Sequence, residues 1–295
     1  MASGLLVGGG LLAGLGLLLS PRLLGRSMLE TLAPLSLGVL AVGGALVLAG
    51  AATIVVAQGR PETARTSYGS HGTVLGLTLL AVLGSLVVVL PFLLPALGSR
   101  QPPVAGFLAA AVVQDIALVG VVYFCVVRPG VIPWRKMGLG PGGPPGAWWL
   151  GLTAAPGLFL LIALVEIGLR GLGVRQTQLE SLEWLRSVPL WQFALVAFCT
   201  AVLAPIAEEI YFRGYVFRAY LEQKGPLQAY VFSSLLFAVA HLNLPALLPI
   251  FAVGLFLALL YHRTGSVVPG IIAHACNNAV AFTVLYFAPY PMGPT

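Results

Sequence analysis

The chain has 295 residues, 59% of them hydrophobic and only 8% charged, with a mean hydropathy of +0.98. Soluble domains carry about 25% charged residues, so the composition excludes a soluble globular protein and indicates one integral to a membrane. A net charge of +6 and a pI near 9.5 do not point to nucleic acid, because the fifteen Lys and Arg are scattered at helix ends and in connections, where they meet lipid headgroups.

A membrane-spanning helix needs about 20 apolar residues. In chain order the sequence offers nine candidates, near 4–20, 31–57, 73–98, 104–128, 147–169, 189–212, 227–242, 245–262 and 266–288. The expected fold is therefore all-α and polytopic, with eight to nine transmembrane helices. A β-barrel is excluded, since no ten-residue segments of alternating polarity occur. The first twenty residues lack a basic start and a small-x-small site before Ser20-Pro21, so they read as a retained helix. Cys125, Cys199 and Cys276 all fall in apolar spans, and no disulfide framework is implied. With nine spans, the even-numbered connections hold eight Lys and Arg against six in the odd ones, which places the even set and the N-terminus in the cytoplasm.

The connection after the fourth span, RPGVIPWRKMGLGPGGPPG, is rich in Gly and Pro and cannot be a regular helix. It divides the chain into a four-helix region at 1–128, a basic connection at 129–146 and a second membrane region at 147–290. The first region is chemically plain, with Gln114 and Asp115 its notable polar residues, and one such acid more often bonds a neighbouring helix than performs chemistry. No internal repeat is evident.

Three motifs lie in the second region. The first is Glu208-Glu209-Ile-Tyr-Phe-Arg213, within a span that has no charged residue before Glu208. A charge near the bilayer centre costs roughly 2.5–3.5 kcal/mol on insertion scales, so a pair of acids there marks a site and not packing. Glu209 and Arg213 are i and i+4, in the favourable order for an ion pair. Glu208 projects about 100° away and is free to face a cavity as a general base. The second motif is Phe237-Ala-Val-Ala-His241. Counted from the turn at Gly225, Glu208 lies 17 residues back, Glu209 16 back and His241 16 ahead, so an antiparallel hairpin brings them to similar depth. The third is His274-Ala-Cys-Asn-Asn278, whose His274 and Asn278 share a helix face and supply two hydrogen-bond donors of the oxyanion-hole kind. Cys276 projects to the other side and is read as packing.

EExxxR, FxxxH and HxxxN, in that order on three membrane helices, resemble the CPBP intramembrane proteases, also called the ABI or CAAX-protease group, which include the Rce1-type endoproteases. The resemblance covers roughly 148–287 and implies a CPBP-type helical core with glutamate-dependent peptide hydrolysis within the membrane. It implies that Glu208 with His241 activates a water, that His274 with Asn278 stabilises the oxyanion, and that Glu209, Arg213 and Phe237 support them. No cofactor is implied. The expected partners are the lipid bilayer and a membrane-associated or lipidated polypeptide substrate, and the expected location is the cell membrane of a prokaryote, with the site nearer the cytoplasmic side.

Other readings stand beside this one. A zinc-dependent variant would draw ligands from Glu208, Glu209, His241 and His274, although no HExxH helix is present. A non-catalytic scaffold or bacteriocin-immunity-type factor would keep the constellation as structural glue. A proton-coupled transporter also uses intramembrane Glu and His, but the absence of repeats argues against it.

Overall fold

The computed structural model describes residues 71–93, 104–140, 146–172, 180–244 and 246–287. The spans expected at 4–20 and 31–57 lie outside the described residues. All regular structure among the described residues is helical. Among the described residues five helices are long and apolar enough to cross a membrane. The chain forms two compact units, Met1–Ile132 and Pro133–Thr295.

In the first unit α1 (His71–Leu93) packs on α2 (Val104–Val127), and Val74, Leu77, Leu118 and Val122 are buried. The last turn of α2, Tyr123–Val127, is a π turn, closed by the Arg128 N–H on the Tyr123 carbonyl at 2.8 Å. Asp115 lies half-buried in α2.

The second unit begins with a short turn of 3₁₀ helix at Trp134–Met137. It continues with α3 (Ala147–Gly171), α4 (Leu190–Lys224), α5 (Pro226–Ala240), α6 (Leu247–Thr264) and α7 (Val268–Phe287). Helix α3 packs on α7 and α6, α5 packs on α6, and α4 meets both α5 and α7. Lipid tails are as apolar as leucine, so such helices associate by close packing and polar contacts and not by expelling water. At the α5–α6 crossing a Cβ on Gly254 would stand 2.8 Å from that of Ser234, and only glycine permits this approach.

Helix α4 runs for 35 residues and changes surroundings along its length. Up to Ile206 it turns Trp191, Leu195, Phe198, Val202 and Ile206 outward, as a lipid-facing helix does. From Ala207 to Phe217 every residue is buried, and 209–217 is wound as a π-helix. π segments recur at functional sites, because the wider turn redirects side chains that a regular helix would space evenly.

The span expected at 227–242 corresponds to α5. Helix α5 has 15 residues, about 22 Å of rise against the roughly 30 Å of a hydrocarbon core, and it stops with His241 as its C-cap. Beyond it Leu242 adopts φ 51°, an uncommon conformation for a branched residue, which ends the helix.

Candidate active site

The centre of the second unit is built on α4. Arg213 is 1% exposed and Glu209 is fully buried; the Arg213 Nη1 donates to Glu209 Oε1 at 2.8 Å, the i,i+4 pair read from the sequence. The guanidinium also donates from Nη2 to the Gly254 carbonyl on α6 at 3.2 Å and lies 4.3 Å from the centre of the Phe237 ring on α5. A buried guanidinium needs such partners, and here three helices supply them.

His274, on α7, stands between the two glutamates. Its Nδ1 lies 3.4 Å from Glu209 Oε1, and its Nε2 lies 3.8 Å from Glu208 Oε2. Regular helical spacing predicts that the two carboxylates diverge; instead they flank opposite nitrogens of one imidazole. Glu209 holds the arginine, and among the described residues Glu208 forms no ion pair with one, its side chain 11% exposed.

Phe237 joins the remaining histidine to this group. Its ring centre lies 5.8 Å from that of His274 and 4.8 Å from that of His241, edge-on in both cases. His241 is half-buried and its Nδ1 meets the Phe237 carbonyl at 2.8 Å. A carbonyl can only accept, so Nδ1 carries the proton, and in the neutral ring Nε2 is left as an acceptor. His241 makes no hydrogen bond to either glutamate among the described residues; aromatic packing on Phe237 sets its position.

Asn278 shares the α7 face of His274 but has a different partner, donating to the Thr200 carbonyl of α4 at 3.0 Å and accepting from Asn277 at 3.4 Å. Among the described residues no three of His, Cys, Asp and Glu converge as ligands of one metal ion would, His241 being turned to its own helix. Cys276 is half-exposed on α7.

Gly270 is a member of the site that the motifs alone did not pick out. A Cβ there would stand 2.7 Å from Glu209 Oε2, so the absent side chain is what lets the carboxylate lie against α7. Its signal in the sequence is a glycine one turn before His274. Gly270→Ala is expected to cost about 1–3 kcal/mol by overpacking, and to displace Glu209 from His274. A melting temperature equal to the wild type in purified protein would show that the carboxylate has room to move.

Comparison with known proteins agrees with the motifs. Residues 190–280 match the family described as type II CAAX prenyl endopeptidase Rce1-like, a segment that runs from the start of α4 into α7 and contains Glu208, Glu209, Arg213, Phe237, His241, His274 and Asn278. A Bacillus subtilis (strain 168) protein named "Putative membrane peptidase YdiL" is 31% identical over 115 residues, 39% of this chain and 45% of that protein. The chain therefore covers less than half of that relative's length. No solved structure matches.

Proposed function

We propose that this integral membrane protein is an endopeptidase that hydrolyses a peptide bond at the membrane, with Glu208 and His241 activating the attacking water. The observation that carries the reading is Glu208 itself: a carboxylate at the heart of a membrane-helix core, left without the cation that neutralises its neighbour, within the segment that matches the endopeptidase family. Structural glue would be complete with Glu209 and Arg213 alone.

In this mechanism Glu208 takes a proton from water while the water oxygen bonds to the substrate carbonyl carbon, and His241 Nε2 helps to orient that water. The carbonyl electron pair moves onto oxygen beside His274, whose Nδ1 faces Glu209; with a proton on each ring nitrogen, its Nε2 donates to the oxyanion. Collapse of the tetrahedral species breaks the C–N bond, and the proton on Glu208 passes to the departing amine. One peptide bond and one water become a new carboxyl and a new amino terminus.

The orientation reading rests on one end of the second unit. Arg218 donates to the Lys136 carbonyl at 3.4 Å and lies over Tyr261, Arg263 closes α6, and α7 begins at the adjoining turn, where the Val267 N–H bonds the Gly138 carbonyl. Trp148 and Trp149 stack at the start of α3, where Gly151 faces Pro269 and Ile272 of α7. Basic residues with tryptophans mark a cytoplasmic interface. His274 is six residues into α7, about 9 Å of rise from that end. A membrane-associated or lipidated polypeptide would reach it from the cytoplasmic side.

The test compares protein termini in membranes carrying the wild type with those carrying Glu208→Gln at equal abundance. Termini present only with the wild type are expected, and they would identify the substrate class. Identical termini, with a biological effect that survives the substitution, would leave a scaffold in place of an enzyme.

A further inference from the structure

The chain enters the second unit at Pro133, ahead of the segment that matches the family, and meets three of its helices within five residues. The 3₁₀ turn Trp134–Met137 ends on Gly138, whose φ of 87° glycine adopts without strain. There the backbone offers three carbonyls in succession. Lys136 accepts from the Arg218 Nη2 of α4 at 3.4 Å, and Met137 accepts from the Tyr261 hydroxyl of α6 at 3.2 Å. Gly138 accepts from the Val267 N–H at the head of α7 at 3.3 Å. The Ser266 hydroxyl also donates to the Gly138 carbonyl, at 3.4 Å, while accepting from the Val268 N–H at 3.3 Å. The first N–H groups of a helix have no partner within it, so Gly138 and Ser266 together close the open end of α7. Met137 is fully buried, and a Cβ on Gly214 of α4 would stand 3.2 Å from its carbonyl oxygen. A Cβ on Gly138 would stand 2.7 Å from the Gly265 carbonyl, so both the backbone angle and the space call for glycine.

We propose that Gly138 is a positioning residue for the endopeptidase site: as the centre of a clasp formed by residues 136–138, it fixes the head of α7 against α4. The clasp lies against α4 at Gly214, the residue after Arg213, and holds α7 at Val267, seven residues before His274. Those two helices carry the glutamates and the imidazole that they flank. A one-residue slip of α7 would move His274 by about 1.5 Å along the axis and turn it about 100° away. The inference rests on the endopeptidase reading for its effect on cleavage, but the placement of His274 is measured without it.

Gly138→Ala, the milder Ser266→Ala and Val196→Ala, a core truncation on the far part of α4, would be made in the full chain and purified in detergent. Three quantities are compared: the melting temperature, the ring resonances of His274 in protein carrying isotopically labelled histidine, and the protein termini generated in membranes. The chain has four histidines, so substituting His71, His241 and His262 singly by glutamine assigns His274 by elimination. Both clasp variants are expected to melt lower, Ser266→Ala by roughly 3–5 °C, and to shift the His274 resonances. Wild-type termini should fall by about 10²-fold, since a displacement near 1 Å is enough for that. Val196→Ala should lower the melting temperature alone. Should Gly138→Ala fail to fold, Ser266→Ala decides. Clasp variants that keep the wild-type His274 resonances, whatever their melting temperature, would overturn the positioning role. So would shifts of equal size in Val196→Ala, or shifted resonances with undiminished termini. If the wild type generates no termini, the endopeptidase reading fails while the resonances still decide whether the clasp places His274.

Discussion

Replacing Arg213 by methionine is expected to cost about 3–5 kcal/mol and to collapse the centre of the second unit, the largest stability effect of any single substitution considered. The magnitude follows from what the guanidinium does in three directions. It neutralises Glu209, satisfies the Gly254 carbonyl and covers the Phe237 face, and each partner belongs to a different helix. Methionine keeps much of the volume but leaves the buried Glu209 carboxylate without its cation. Removing the carboxylate as well, in Arg213→Met with Glu209→Leu, should recover part of the loss, since replacing both members of a buried pair by apolar groups is often near neutral. Thermal unfolding of the purified proteins, with Leu195→Ala on the outward face of α4 as a control, measures both. A wild-type melting temperature for Arg213→Met would refute the assignment of Arg213 as the keystone of the packing.

The adjacent glutamates should separate cleanly when each is changed to glutamine. Glu208→Gln is expected to lower the cleavage rate by about 10²–10⁴, the usual contribution of a general base, with little change in melting temperature. Glu209→Gln should lower stability first, because it leaves the Arg213 cation buried without its anion, and should lower cleavage only as His274 loses its anchor. Rates on a substrate identified from the termini comparison, set beside melting temperatures for the same preparations, give the two-way split. Equal effects of both substitutions on both quantities would mean that the carboxylates act as one unit and that Glu208 has no separate chemical role.

Much of this centre is legible in the amino-acid sequence. Adjacent acids in an apolar helix are costly enough to announce themselves, and i,i+4 spacing is sufficient to pair Glu209 with Arg213. The extent of α5 is not legible, because Leu242 and Leu244 carry the apolar pattern past the point where the backbone leaves the helix at His241. Hydropathy registers side chains, whereas the helix end is set by the backbone turn at Leu242. The flanking of His274 by both acids also escapes a sequence reading, since 100° per residue assumes a regular helix and the winding changes at Glu209. Asn278 is assigned by its face alone. Its partner, the Thr200 carbonyl, depends on how α7 lies against α4 and cannot be read from spacing within α7.

The change in surroundings along α4 divides the helix into a part that can be handled and a part that cannot. Trp191, Leu195, Phe198, Val202 and Ile206 open outward along one stripe, so a spin label, a fluorophore or a photo-crosslinker attached there would report on neighbouring lipid and on approaching polypeptides without touching the core. From Ala207 to Phe217 no position offers such a foothold, because an added group has only protein to displace. A probe at Ile206, two residues before Glu208, is therefore the nearest on this helix that can observe traffic toward the site while leaving it intact.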